Sequence, residues 1–223
     1  MAVHTTDAIV LRRYPYRETS VIVTCLTEAH GKLKGLVKGL RVQPSRHRSA
    51  MEPLTVNRIV FYDTRTSPLH LISQCDLLDP LATLQRDVET AWVAGQCAEL
   101  ADTVLPLEEP QPAVYHLVRD TLERWALGTG ERRSVRIHYI VRLLRLVGFQ
   151  PQLDECTGCS RRVEGAGFWS APQGGLLCPR CLHQDPKAEP LSAETLATLE
   201  TLLTSDTPIP MDTEVLPALR CGR

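Results

Sequence analysis

The sequence lacks several features that would assign the protein to a function class at once. It has no run of 18 apolar residues, as a membrane-spanning helix requires, and no basic N-terminal segment leading into an apolar one, as a secretory signal requires. We therefore expect its thiols to lie in a reducing cytoplasm. The motifs Gly-x4-Gly-Lys-Ser/Thr, Gly-x-Ser-x-Gly and His-Glu-x2-His are also missing, which argues against the corresponding nucleotide, serine and zinc enzymes.

Cysteine, in contrast, is plentiful, with eight residues in a chain of 223. Four of them form the pairs Cys156-x2-Cys159 and Cys178-x2-Cys181, separated by 18 residues. This spacing is typical of a four-cysteine zinc site, because each Cys-x2-Cys knuckle directs two sulfurs at one point. Four protein ligands fill a tetrahedron, so we predict structural rather than catalytic Zn²⁺. The alternatives are two disulfides or four unrelated buried thiols.

Charge is distributed unevenly along the chain, although the net charge is only −1. Residues 1–65 contain eleven Lys and Arg against five Asp and Glu, so this part carries +6 and the remainder carries −7. A basic front part favours a polyanionic partner. The alternative is a basic surface that is simply solvated.

The first 76 residues show five stretches with the composition of β-strands, at 3–11, 19–27, 31–38, 54–62 and 69–76. Five strands joined by one long loop predict a small closed barrel, and the nucleic-acid-binding barrel of that size is the OB-fold. An SH3-like barrel is the alternative on strand count. Tyr14, Tyr16, Phe61 and Tyr62 are available for base stacking, although Phe61 also suits the core.

The third strand and the loop after it carry the predicted phosphate-binding residues. Strand alternation directs three lysines of residues 31–38 to one face, and the loop at 39–50 is basic without periodicity. Further arginines precede the second strand. The predicted DNA-binding residues are Lys32, Lys34, Lys38, Arg41, Arg46 and Arg48, with Arg12, Arg13 and Arg17 on their flank.

Helical periodicity replaces the strand pattern after residue 79. Asp79-Pro80 predicts a helix start, an arginine-rich helix covers 132–147, and a last amphipathic helix covers 192–204. We predict an α+β protein of two domains, an OB-fold at 1–79 and a helical domain at 80–223. The zinc module is inserted in the second domain at 154–183.

The order of these features resembles that of a known family, the bacterial recombination mediator RecO. The resemblance rests on residues 12–27, on Gly31-Lys32, on Val37-Lys38-Gly39 with the loop at 41–48, and on Gly148-Phe149-Gln150-Pro151 before Cys156. It runs from about residue 5 to 205. The C-terminus looks short for this family.

The resemblance implies a non-enzymatic role in DNA repair, with association with the nucleoid. Such proteins bind single- and double-stranded DNA, anneal complementary strands and act with RecR to load RecA onto DNA coated by single-strand binding protein. The resemblance also implies that the acidic tail of single-strand binding protein docks here. For that tail we predict Arg132, Arg136, Arg142 and Arg145, unless these arginines pair with acids of their own domain.

The rival function from another class is a zinc-stabilised scaffold that binds nucleic acid or protein without annealing strands. An enzyme is a third class. A zinc deaminase would need a proline before the second Cys-x2-Cys pair, whereas Pro179 follows Cys178.

Overall fold

Five strands close into a barrel in the N-terminal part of the computed structural model, which describes residues 2–41, 49–63, 67–149, 151–205 and 207–208. The strands are β1 (Val3–Tyr16), β2 (Ser20–Thr27), β3 (Gly31–Val37), β4 (Val56–Tyr62) and β5 (Leu69–Asp79). Their order around the barrel is β1-β2-β3-β5-β4. All neighbours are antiparallel except β3 and β5. This architecture confirms the predicted OB-fold.

Alternation along the strands builds the core of the barrel. Leu33 and Val37 on β3 point inward with Val21 and Val23 on β2, and all four are buried. Gly35 lies between Leu33 and Val37 on the same face, and a Cβ there would lie 2.3 Å from the Ile72 Cδ1 atom. A side chain at this position would therefore displace the core of the barrel.

Two helices follow the barrel, α1 (Val88–Val104) and α2 (Pro112–Ala126). The predicted helix start at Asp79 is wrong. Asp79 ends β5, and its Oδ1 accepts the N–H of Leu81 at 2.8 Å. Leu81 has φ 42°, which a right-handed helix excludes. A short 3₁₀ turn comes next, and α1 begins only after Asp87, whose side chain accepts the N–H of Thr90 at 3.1 Å.

The rest of the chain combines two helices with a small sheet. The helices are α3 (Arg132–Leu146) and α4 (Ala193–Thr204). The strands are β6 (Gln152–Cys156), β7 (Gly167–Ser170), β8 (Gly175–Leu177) and β9 (Glu189–Leu191), in the order β6-β8-β7-β9. Apolar side chains of both helices and of the sheet share one core, which includes Val141, Leu176 and Leu202.

The chain divides into two compact units, Met1–Arg132 and Arg133–Arg223. The composition of the sequence changes at residue 79, but α1 packs on β1 and α2 on β2, so the first unit extends beyond the barrel. In the described ranges no helix is both long enough and apolar enough to cross a membrane.

Candidate metal centre and nucleic-acid interface

The four cysteines of the two knuckles converge on one point. Cys156 ends β6 and Cys178 follows β8, so the small sheet brings the two pairs together. The four sulfur atoms all lie within 4.8 Å of one another, and the Sγ atoms of Cys159 and Cys178 are 3.9 Å apart. Tetrahedral Zn²⁺ with Zn–S bonds of about 2.3 Å places its sulfurs about 3.8 Å apart. The cluster therefore fits a metal ion of this kind.

The electrostatics of the cluster favour a bound cation. Burial raises the pKa of the Cys156 thiol, but hydrogen bonds outweigh burial and lower that pKa from 9.0 to about 6. One of these donors is the N–H of Cys178, 3.3 Å from the Cys156 sulfur. Burial, followed by hydrogen bonds with the other three thiols, raises the pKa of Cys181 to about 12. Four thiols this close resist ionising together, and a divalent cation would favour the thiolate at each of them.

The alternatives for the cysteines do not match the geometry. All four are free thiols, which excludes the two disulfides in this arrangement, and their convergence excludes four unrelated side chains. The nearby His183 directs its Nδ1 to the carbonyl oxygen of Arg180 at 2.9 Å. The four sulfurs therefore form the candidate ligand set without the imidazole.

Lys32 has a different environment from the one that the strand pattern predicts. It lies on the outer face of β3 but is only 8% exposed. Its Nζ donates to the backbone oxygen of Asp102 on α1 and lies 3.3 Å from the Oδ1 of the same residue. The Lys32 carbonyl also accepts the N–H of Glu108 at 2.9 Å. This internal pairing leaves the Lys32 ammonium little access to a phosphate, and its contact with DNA stays a prediction.

Arg12 is held by the same carboxylate. Its Nε lies 2.6 Å from Asp102 Oδ2, and its Nη2 lies 3.2 Å from Glu99 Oε1. Its Nη1 donates to the Tyr14 hydroxyl at 3.1 Å. The pKa of Arg12 is raised, first by this hydrogen bond and then, against some desolvation, by the two acids. Arg12 therefore fixes α1 and Tyr14 and has little freedom to follow a phosphate.

Four of the predicted cations remain open to solvent. Lys34, Lys38, Arg17 and Arg41 are all exposed. Arg41 Nη1 donates to the Arg17 carbonyl at 3.1 Å, which ties the turn after β1 to the segment after β3. The Arg17 guanidinium lies 5.2 Å from the centre of the Tyr16 ring. Within the described part of the predicted surface, these are the exposed cations.

The remaining predicted cations of the barrel are either paired with an acid or outside the described residues. Arg13 lies 3.4 Å from the carboxylate of Glu52, as measured from Nη1 to Oε1. Arg46 and Arg48 lie outside the described residues. Of the aromatic residues, Phe61 is in the barrel core at 2% exposure, whereas Tyr14 is 47% exposed.

The arginines of α3 differ in exposure and in their contacts. Arg132 hydrogen-bonds Asp87 and lies 2.9 Å from Glu89, measured from Nη2 to Oε2, so it pairs with acids next to the helix. Arg145 donates to the carbonyl oxygen of Leu203 and is otherwise exposed. Arg136 and Arg142 are half-buried.

A feature that sequence reasoning missed lies beside α3. An apolar cavity of about 260 Å³ opens between α3, the small sheet and α4, and Phe149 at its wall is 67% exposed. Its lining includes Ile140, Leu144, Trp169, Leu199 and Leu203. The apolar circumference of α3 was the one local sign of this cavity. The residues that face α3 across the cavity come later in the chain, as far as Leu203 on α4, so the sequence pattern of α3 alone does not reveal them.

Comparison with known proteins gives two family matches. The model described as Recombination protein O N terminal matches residues 1–81, and the model described as Recombination protein O C terminal matches residues 85–219. Together they span the barrel, the helices and the cysteine cluster. Their boundary falls between β5 and α1.

Individual relatives carry the name DNA repair protein RecO. The protein of Koribacter versatilis is 34% identical over 172 residues, which cover 77% of this chain and 70% of the relative. The protein of Moorella thermoacetica is 36% identical over 177 residues, covering 78% of this chain and 65% of the relative. The protein of Bacillus velezensis is 32% identical over 191 residues, covering 85% and 72%.

Proposed function

We propose a function for this chain from one premise: it belongs to the RecO family of DNA repair and recombination proteins. In this proposal the chain binds single- and double-stranded DNA and anneals complementary strands. With RecR, it helps to load RecA onto DNA coated by single-strand binding protein. It acts in the cytoplasm at the nucleoid, where its DNA substrate lies.

The observation that carries the proposal is the set of exposed cations on the barrel. Lys34 lies within β3 and Lys38 directly follows it, and Arg17 and Arg41 are joined by a hydrogen bond. Annealing requires two polyanions to approach, and Lys and Arg permit this by displacing the counterions of the phosphates. Such a surface needs no nucleophile or general base.

We propose that the metal is Zn²⁺ and that its role is structural. Four protein sulfurs complete a tetrahedron and leave no position for water or substrate, which supports a non-enzymatic protein. The ion would join β6 to the segment after β8, because each contributes one knuckle. In this proposal the module stabilises the second unit and affects DNA binding only indirectly.

The acidic tail of single-strand binding protein is proposed to dock beside α3. Its apolar last residue would enter the cavity lined by Leu144 and Phe149, and its carboxylates would meet Arg142 and Arg145. Arg132 is already bound to two acids, so it is the weakest of the four predicted residues.

A tail peptide tests this docking site in two paired variants. We expect Arg142→Ala/Arg145→Ala to weaken peptide binding about tenfold, since a hydrogen bond to a charged group contributes about 1.5–3 kcal/mol. Arg132→Ala/Arg136→Ala should change it less. If both double variants stay folded and bind the peptide as the parent does, the site is elsewhere.

A salt titration tests the proposed DNA binding itself. We expect affinity for single-stranded oligonucleotides and duplexes to fall linearly with the logarithm of salt concentration, by about 0.7–0.9 per phosphate contact. The scaffold alternative, in which the barrel reads a protein, predicts little salt dependence. Affinity that does not change with salt would therefore count against the proposal.

A further inference from the structure

A row of apolar side chains crosses the outer surface of the barrel from strand to strand. Paired positions in the sheet follow one another without a break from β1 to β4. Side chains at paired positions point to the same face of a sheet. The row, which we call the outer band, consists of Tyr14, Ile22, Leu36, Leu71 and Tyr62.

The band faces outward because its neighbours along the strands face inward. Val21 and Val23 flank Ile22, Val37 follows Leu36, and Ile72 follows Leu71; these flanking residues all lie in the core. Tyr14 is 47% exposed, and the other four members are half-buried. The barrel therefore presents a continuous apolar strip, with a tyrosine at each end, on its solvent side.

The dimensions of the band suit a short extended polymer. Neighbouring strands lie about 4.8 Å apart, so the four steps from β1 to β4 span about 19 Å. Because strands in a barrel are tilted, a row perpendicular to them climbs along one side of the barrel. This length corresponds to the lower end of the site sizes of OB-folds, about four nucleotides.

Charge beside the band restricts its occupant. Lys34 and Lys38 stand two residues before and after Leu36, so strand alternation directs Lys34 to the same face, and both lysines are exposed. Cores of protein interfaces are depleted in lysine. A single strand of nucleic acid combines flat apolar bases with anionic phosphates, whereas a duplex hides the faces of its bases.

The side chain of Tyr14 is also preorganised for such a ligand. Its hydroxyl accepts a hydrogen bond from Arg12 at 3.1 Å, and Arg12 is anchored by Asp102 at 2.6 Å. The ring is therefore exposed without being free to collapse onto the barrel. An ordered ring loses little conformational entropy when a base stacks on it.

We propose that the outer band is the subsite for unpaired bases, with Tyr14 and Tyr62 as its stacking residues and Lys34 and Lys38 as the neighbouring phosphate contacts. This inference rests on the proposed DNA binding and deepens it. The band distinguishes single strands from duplexes, whereas the lysines act on both forms.

The test compares two variants of the full chain on two probes. Tyr14→Ala/Tyr62→Ala removes both rings of the band, and Trp92→Ala, which removes an exposed ring on α1 outside the band, is the matched control. The probes are a fluorescent oligo(dT) of about 12 nucleotides and a duplex of equal length. We expect the alanine variant to bind oligo(dT) about tenfold more weakly, with an unchanged salt slope and duplex affinity within about twofold of the parent.

Wild-type protein supplies an independent readout that needs no variant. An oligonucleotide containing 5-iododeoxyuridine should, on irradiation, crosslink to peptides that contain Tyr14 or Tyr62. The control variant Trp92→Ala should bind oligo(dT) within about twofold of the parent.

Three results would overturn the inference while leaving DNA binding intact. The first is oligo(dT) affinity in the alanine variant equal to that of the parent. The second is an equal loss for both DNA forms in a folded alanine variant. The third is crosslinking confined to other peptides. An alanine variant that binds both DNA forms normally but loses a protein partner would assign the band to a protein interface instead. If the parent itself binds no DNA, the proposed function fails rather than the band alone.

Discussion

Asp102 pairs with two of the cations that the sequence assigns to the basic surface of the barrel. Its carboxylate accepts from Arg12 at 2.6 Å and lies 3.3 Å from the Lys32 ammonium. Two of the nine cations predicted to bind DNA thus stabilise the contact between barrel and α1. A lysine this buried is tolerated because its charge is paired.

Removing this carboxylate should destabilise the first unit strongly. Asp102→Ala leaves Lys32 buried without a counter-charge, so we expect the free energy of unfolding to fall by about 3 kcal/mol. Urea denaturation measures the change. The double variant Lys32→Met/Asp102→Leu removes both charges and should recover most of the loss; a double variant as unstable as Asp102→Ala would contradict the pairing.

Two buried thiols predict a loss of stability in alkali. Burial, and then the charge of Cys75, raises the pKa of Cys25 to about 12; burial, and then Asp76, raises the pKa of Cys75 to about 12. The folded state therefore favours the neutral thiols. Their contribution is complete below the unfolded pKa of about 8.5 and is lost as the pH rises toward 12, by up to about 1.4 kcal/mol per pH unit for each thiol.

Unfolding by urea at several pH values between about 8 and 10 measures this slope. Cys75→Ala should show a shallower decline than the parent, because one titrating thiol is gone. Equal slopes in the parent and the variant would show that the Cys75 thiol does not titrate differently in the folded and unfolded states.

At the scale of elements, β3 shows which structural features can be predicted from the sequence and which cannot. Its start and its alternation follow from the local pattern, and β3 ends at Val37, one residue before the predicted end. The burial of Lys32 depends on its contact with Asp102, which lies seventy residues further along the chain. A local sequence pattern does not reveal such a contact. The cysteine knuckles were predictable because each is local, and the two pairs share a familiar spacing.

Where local signals conflict, the prediction from sequence was wrong. Asp79-Pro80 has the composition of a helix start. The Asp79 side chain instead accepts the N–H of Leu81 in a turn, and Asp87 is the N-cap of α1. The apolar cavity beside α3 likewise depends on walls distant in sequence. Elements were therefore easier to predict than the surfaces that they form together.

We expect the two exposed lysines in and directly after β3, Lys34 and Lys38, to determine part of the salt dependence of DNA binding. Lys34→Ala/Lys38→Ala should weaken binding to all sequences alike and flatten the salt slope by about 1.4–1.8, from two phosphate contacts. Fluorescence anisotropy over a range of salt concentrations measures both quantities. Arg180→Ala/Lys187→Ala removes two exposed cations of the other unit and should leave the slope unchanged. If the control variant flattens the salt slope as much as Lys34→Ala/Lys38→Ala does, the lysines of β3 have no particular role in DNA binding.

The cysteine module predicts one tightly bound zinc ion per chain. Elemental analysis of freshly purified, reduced protein should find it, and a strong chelator should lower the melting temperature, since structural zinc contributes on the order of 10 kcal/mol to such modules. Cys159→Ser should reduce solubility or melting temperature, and any loss of DNA affinity should follow from unfolding. Reduced protein without zinc would contradict the assignment.

At the scale of the whole molecule, the chain combines an OB-fold barrel with a unit that contains a candidate metal centre. The first unit presents cations and an apolar band on an OB-fold. The second presents a four-thiol cluster and an apolar cavity. This division suits the proposed function, in which the chain holds DNA and also recognises the protein that coats it.

The most direct test of the account is the rate of strand annealing by the full chain. Complementary oligonucleotides are mixed without any nucleotide cofactor, bare or coated with single-strand binding protein, and duplex formation is followed by fluorescence. We expect wild-type protein to accelerate annealing in both cases, and Lys34→Ala/Lys38→Ala to accelerate it less. DNA binding with the predicted salt dependence, but annealing no faster than in the absence of protein, would contradict the central claim and favour a scaffold.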